Sequence, residues 1–292
     1  MWAFVAFWAF IGTAWGQVDP RCLDLANEGP PADYDEQAQQ DFLQNYYALA
    51  STFSANHGPV PHDAGRAMVG VDLGVVPPLG CRRRLVLNYT KSENTNRSPV
   101  MPRLRFSVAG PAIGQMVPYV GAAFLPPARL GQQSTVLISF EAGVGFQFGE
   151  RLQFGARFHA TSHKTVGEIS GPRRANDPEF NDLYTAQTLG GDLSLGFRFD
   201  GAVPYISLGV TDASTFYYVG DDNVAVNNFH PYFGLVGSAG VDTLIGSRVR
   251  LGGELYAAFG GVSRPDRTVE SVTPVSRYGR LATVRLRVGY EL

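Results

Sequence analysis

The chain of 292 residues is poor in several residue types, and each scarcity removes a class of protein. Only two cysteines occur, Cys22 and Cys81, which excludes a disulfide-dense scaffold and any thiolate-rich zinc module. The charged residues are 17% of the chain, the net charge is -2, and no basic run is longer than Arg82-Arg83-Arg84. Nucleic acid is therefore not an expected partner. After residue 16 no apolar run reaches the roughly 20 residues that a membrane-crossing helix needs. The five histidines, His57, His62, His159, His163 and His230, lack the spacing of metal ligands, so neither a metal nor a cofactor is expected.

What the chain does have is 34 glycines, 19 phenylalanines and 13 tyrosines, a balance that favours aromatic-rich strands over charged surface helices. Residues 1–16 are apolar and end in small residues before Gln17, the pattern of a secretory leader. An exported chain permits oxidation, and Cys22 with Cys81 is compatible either with one disulfide or with two free thiols. Residues 17–63 form an N-terminal segment, periplasmic or luminal. Within it, 35–54 places Phe42, Tyr46, Leu49 and Phe53 three or four residues apart behind an acidic start, which predicts the one amphipathic helix. "ANHGPVPHDAG" then breaks it.

From residue 64 onward the hydrophobic period is two. In "TVLISFEAGVGFQFGERLQFGARFHAT", Val136, Ile138, Phe140, Ala142, Val144, Phe146 and Phe148 alternate with Leu137, Ser139, Glu141, Gly143, Gly145 and Gln147. The alternation restarts after Gly149-Glu150. The same pattern recurs to the C-terminus, where Val284, Leu286, Val288, Tyr290 and Leu292 alternate with Thr283, Arg285, Arg287, Gly289 and Glu291. Connections at 149–150, 200–202 and 242–246 are tight, whereas 126–134, 162–183, 211–228 and 260–277 are long and polar. Alternating short and long turns are the asymmetry of a membrane barrel, with the tight turns periplasmic. A strand crosses the hydrocarbon layer in roughly 9 to 11 residues with an apolar outer face, and an open sheet edge in lipid would leave backbone groups unpaired, so the sheet must close.

On these hairpins and on the terminal "TVRLRVGYEL", residues 64–292 resemble a bacterial outer-membrane β-barrel protein. The resemblance implies residence in the outer membrane, contact with its lipid, and recognition of the C-terminal strand by the barrel-assembly machinery. The final aromatic residue usual in that strand is here Leu292. The N-terminal helix ahead of a barrel is also loosely similar to the fatty-acid-transporter barrels, which carry a plug. The expected fold is all-β, a closed antiparallel transmembrane β-barrel of about 12 strands (range 10 to 14) with one N-terminal amphipathic helix. Eleven strands are visible, and even numbers are the rule. Either an extra strand lies near 46–60, or the helix rises through the lumen, or the segment 84–91 stays outside the membrane. Both termini and the turn 77–84 are expected on the periplasmic side.

Strand parity sends Arg103, Arg105, Arg157, His159, Arg198, Arg248, Arg250, Arg285 and Arg287 inward with Glu141, Asp192, Glu254 and Glu291. A basic lining attracts anions, whereas an ion-pair network merely fills a narrow barrel, and the pattern allows both. His159, Ser162 and His163 near a strand end suggest a hydrolase, but no orienting acid completes a triad, and no catalytic residue is expected. The leading expectation is a channel or transporter for small solutes or hydrophobic molecules, with the helix as plug. The alternatives are a structural or surface-interaction barrel and, last, a lipid-modifying enzyme. Oligomeric state is left open by the sequence.

Overall fold

The computed structural model describes residues 18–92, 99–130, 133–167, 182–219, 224–227, 232–261 and 280–292. The expected leader at 1–16, His230 and the connections at 168–181 and 262–279 lie outside the described residues. Three short elements open the described chain: a 3-10 turn at Pro20–Cys22, helix α1 at Leu23–Glu28 and helix α2 at Glu36–Ser51. A one-turn helix α3 follows at Cys81–Arg84, so the expectation of a single helix is corrected. In α2 the Asp35 side chain accepts from the Ala38 N–H at 3.1 Å, a helix N-cap, with Glu36 in the first turn. The helix stops at Ser51 rather than 54, where Ser51 and Thr52 turn their hydroxyls back onto the Ala48 carbonyl.

The strands are β1 (Ala67–Val75), β2 (Leu85–Val86), β3 (Lys91–Ser92), β4 (Val100–Ala109), β5 (Met116–Leu130), β6 (Gln133–Phe148), β7 (Leu152–Gly167), β8 (Asp182–Phe197), β9 (Ala202–Val219), β10 (Val224–Asn227), β11 (Tyr232–Ile245), β12 (Val249–Gly261) and β13 (Arg280–Glu291). Ten of them close a ring, β1-β4-β5-β6-β7-β8-β9-β11-β12-β13 and back to β1, every pair antiparallel. β10 is a short flap on the end of β9. The ring thus has ten strands, the lower end of the expected range of 10 to 14. The counted strand at 84–91 is a two-stranded ribbon outside the ring, because Leu87, Asn88 and Tyr89 take positive φ of 52°, 51° and 67° and end the extended run.

All the tight connections, 110–115, 149–151, 198–201 and 246–248, share one end of the ring with the start of β1 and the end of β13. By the rule that short turns are periplasmic, this is the periplasmic end. The expected long connection at 126–134 is instead mostly strand, with a register shift between Leu125 and Ala128 where Pro126-Pro127 supplies no N–H donors.

The two faces separate as strand parity requires. Phe106, Phe140, Leu193 and Leu208 are more than half exposed on the outside, while Arg105 and Arg285 on the inside are at most 2% exposed. A closed ring with an apolar exterior has no unpaired edge and suits hydrocarbon, and the protein is an outer-membrane β-barrel.

Candidate luminal plug

The route of the chain before β1 determines what fills the barrel. The 76–99 segment connects the upper ends of β1 and β4, opposite the tight turns, and Cys81 within it forms a disulfide with Cys22, Cα to Cα 5.4 Å. The expected periplasmic position of this pair is thus corrected: residues 18–35 and the 77–84 turn cap the long-loop end. Val18, Cys22, Leu85 and Tyr89 form the small core of this cap. Asp19 binds Arg21 at 2.8 Å and Arg84 at 2.9 Å. The Arg21 hydrogen bonds, helped by Arg84, hold the Asp19 carboxyl well below the usual carboxylate range.

From the cap, α2 descends into the lumen and is buried on nearly all sides, its polar face included. Phe42, Tyr46, Leu49 and Phe53, the residues of the expected plug face, are all at most 4% exposed. The upper lumen receives Phe42, Tyr46 and Leu49 with Tyr184, Tyr217, Tyr232, Tyr256, Ala186, Ala213, Ala258 and Leu281. The polar face is matched as well: Tyr184 donates to the Gln44 carbonyl at 2.7 Å, Thr215 to Gln44 Oε1 at 2.9 Å, and the Tyr232 N–H to Asn45 Oδ1 at 3.3 Å.

At the foot of α2 the wall supplies two guanidiniums. Arg103 donates to the Ser51 carbonyl at 3.1 Å, and Arg285 donates to Thr52 O at 2.7 Å and to Leu49 O at 3.2 Å. The Thr52 N–H caps Leu49 O at 3.3 Å, and the carbonyls of this last turn carry the helix's negative dipole end, so buried cations are favourable there. Phe53 then lies against Arg105, whose guanidinium carbon is 4.5 Å from the ring centroid.

Below that level residues 52–66 continue as irregular chain to the periplasmic end. Asn56 N donates to Glu254 at 3.0 Å and Gly58 N to Asp242 at 3.4 Å. Pro59 rests on a flat patch of wall made by Gly145, Gly155 and Gly196, where a side chain on Gly145 would come within 2.5 Å of the Pro59 carbonyl oxygen. His62 bonds Ser107 Oγ at 2.6 Å and faces Glu291 at 3.4 Å.

Around this thread the wall charges pair with one another. Arg105 bridges Asp72 at 2.9 Å and Glu141 at 2.5 Å; Arg157 bridges Glu141 at 3.0 Å and Asp192 at 2.7 Å. Arg250 and Arg287 share Asp242, at 3.1 and 2.7 Å, and Arg250 also bonds Glu291. From the foot of the helix downward, Arg103, Arg105, Arg157, Arg250, Arg285 and Arg287 face Asp72, Glu141, Asp192, Asp242, Glu254 and Glu291, all buried. This lining is charge-balanced, so the basic lumen is corrected: Asp72, which alternates with the outward Val71 and Leu73, belongs to the lining as well, and Asp242 lies inside β11 rather than in a turn.

Two other residues leave the expected lining. Arg248 sits exposed in the 246–248 turn, where it donates to the outward-facing Tyr290 Oη at 2.9 Å. Arg198 lies past the end of β8, over a third exposed and 3.8 Å from Asp63. His159 is buried, 3.8 Å from Asp192. Ser162 and His163 are neighbours on β7 and project to opposite sides of the wall, Ser162 exposed and His163 buried against Tyr47, so they cannot act as nucleophile and base. Among the described residues no cluster of ligating side chains suits a metal ion.

No protein-family model and no curated protein matches the chain. Solved structures match in overall shape. The toluene transporter TbuX of Ralstonia pickettii is 9% identical, with 80% of this chain and 91% of that one covered and a TM-score of 0.35. The outer membrane protease OmpT of Escherichia coli is 9% identical over 83% and 97%, at 0.41. The translocator domain of the autotransporter NalP of Neisseria meningitidis is 13% identical over 80% and 89%, at 0.40.

Proposed function

We propose that the protein is a gated outer-membrane channel for small hydrophilic solutes, closed here by α2 and residues 52–66. The observation that carries this reading is the manner in which the plug is held. Its central stretch is fixed by hydrogen bonds from Arg103, Arg157 and Arg285 to main-chain carbonyls, groups that water satisfies equally well. Polar side-chain atoms along the seam, among them Nδ2 and Oδ1 of Asn56 and both amide atoms of Gln153, have no hydrogen-bond partner among the described residues. A polar, glycine-lined seam suits hydrated solutes and disfavours the hydrophobic cargo that the sequence also allowed. No catalytic role is assigned.

Planar-bilayer recording tests this. The full-length protein is expected to open rarely, and replacing Arg103 and Arg285 together by Gln is expected to raise the open probability about tenfold or more, from the loss of the charge-assisted hydrogen bonds to the Leu49, Ser51 and Thr52 carbonyls, roughly 1.5 to 3 kcal/mol each. Deleting residues 17–56 is expected to raise it further. The second reading, a closed structural or surface-interaction barrel, is favoured by the disulfide that pins the cap. Silence of every form would decide for it.

A further inference from the structure

The charge balance of the lining as a whole conceals a local exception. Arg105, Arg157, Arg250 and Arg287 each lie within 3.1 Å of a carboxylate oxygen. Arg103 and Arg285 form no such pair among the described residues, although the register would allow one. Arg103 stands opposite Asp72 on β1, and Arg285 opposite Glu254 on β12. Both carboxylates serve other donors: Asp72 accepts from Arg105, and Glu254 from the Asn56 N–H and the Tyr205 hydroxyl. The two guanidiniums reach instead for the foot of α2.

The way they reach it is specific. Arg285 sets one terminal nitrogen 2.7 Å from Thr52 O and the other 3.2 Å from Leu49 O. Arg103 sets one 3.1 Å from Ser51 O and the other 3.5 Å from the same Thr52 O. Each fork thus spans two oxygens, and the two forks converge on one of them. This is the manner in which arginine takes a carboxylate or a phosphate. The Nε of each has no hydrogen-bond partner among the described residues, and both side chains are at most 2% exposed, so the plug leaves the pair incompletely satisfied. The Tyr256 ring backs Arg285, its centroid 4.0 Å from the guanidinium carbon.

We propose that Arg103 and Arg285 are the binding site of a small oxyanion, a carboxylate or a phosphate, and that the last turn of α2 occupies this site in the ligand's place. The inference rests on the gated-channel reading for its consequence: the oxyanion is the class of solute and also the signal that opens the path. Main-chain carbonyls at a helix end offer about half an elementary charge. An oxyanion offers a whole charge and two oxygens spaced for one fork, and such bonds are roughly twice as strong as those to neutral acceptors. A neutral solute lacks the charge, and chloride cannot span a fork. Departure of the plug without a replacement would leave two buried cations at one level with the nearby carboxylates engaged elsewhere, which is costly. Opening and oxyanion binding are therefore coupled, since a ligand that binds only the open form raises its population.

The test follows amide hydrogen exchange of residues 44–56 by mass spectrometry, on the full-length protein in an uncharged maltoside detergent. Succinate and inorganic phosphate are compared with sodium chloride of equal ionic strength and with glucose. Either oxyanion is expected to speed exchange of the Thr52 and Phe53 amides, which donate to Leu49 O and to the Thr161 hydroxyl, about tenfold, with chloride and glucose leaving it unchanged. Arg285→Lys keeps the charge and loses the fork, and is expected to reduce the response to about a third or less. Arg103→Gln combined with Arg285→Gln is expected to abolish it. Circular dichroism checks that each variant holds the barrel fold, and should the double variant misfold, Arg285→Lys decides. No response in the wild type, an equal response to chloride, or an undiminished response in a folded variant would each overturn the proposal. Bilayer recording separates the two claims. Exchange that responds while every form stays silent keeps the oxyanion site and removes the channel, whereas conductance from a protein whose exchange ignores both oxyanions keeps the channel and removes the site.

Discussion

Glu141 has the most demanding position of any side chain in the lumen. It lies between Arg105 and Arg157 with His57 3.6 Å away, fully enclosed. Removing one member of such a network leaves two buried guanidiniums short of a counterion, which costs far more than the net value of the pair. Glu141→Gln is expected to destabilise the folded barrel by about 3 to 5 kcal/mol in urea titration. A change below about 1 kcal/mol would show that the lumen is wet enough to screen these charges. Asp19 makes the opposite kind of case, at the outer cap. Its folded pKa is depressed, so the stability it contributes is complete above its unfolded value of about 3.9 and is lost only as pH falls through the lower folded value. Amide exchange of residues 19–28 is accordingly expected to stay slow to about pH 4 and to rise only below it, and Asp19→Asn to be fast throughout. Strand alternation was informative within strands and misleading at their ends. It sorted Arg103, Arg105, Glu141, Arg157, Arg250, Glu254, Arg285 and Arg287 to the inside, but it carried Arg248 inward because period two does not say where a strand begins.

Among the elements, α2 was readable from the spacing of Phe42, Tyr46 and Leu49 and from its acidic start, yet its surroundings were not. Amphipathicity says that a helix has an apolar side and says nothing of a polar environment that also encloses the other side. The irregular stretch 52–66 gives a weaker signal still, since "ANHGPVPHDAG" looks like an ordinary linker. The clue was on the wall, in glycines that occupy inward positions for no reason internal to a strand. Gly145, Gly155 and Gly196 leave room for Pro59. Gly145→Leu is expected to push this thread aside at a cost of about 1 to 3 kcal/mol, typical of overpacking. The readouts are a lower urea midpoint and faster exchange of the Asn56 and Gly58 amides, which now donate to Glu254 and Asp242. Unaltered exchange would mean that the thread does not bear on the wall. The spurious strand at 84–91 has a related cause: apolar residues at alternate positions suggested extension, and three consecutive positive φ values prevent it.

For the whole molecule, closure, antiparallel order and the apolar exterior were all legible, because few folds outside a membrane keep up a period of two for the thickness of a bilayer. The number of strands was not, since whether a marginal segment joins the ring depends on spatial partners that sequence periodicity does not name. The side of the membrane on which the cysteines lie was inverted with it, because each strand added or removed reverses everything N-terminal to it. Conductance of the purified protein asks whether a ring of ten strands with a charge-balanced interior passes solutes at all. The Cys22–Cys81 bond also constrains the answer. It ties the head of the plug to the segment that follows β1, while the foot of the plug runs directly into β1. Plug and stave thus form a single covalent hoop, leashed at top and bottom, and whatever passes must slip beside the thread instead of following it out.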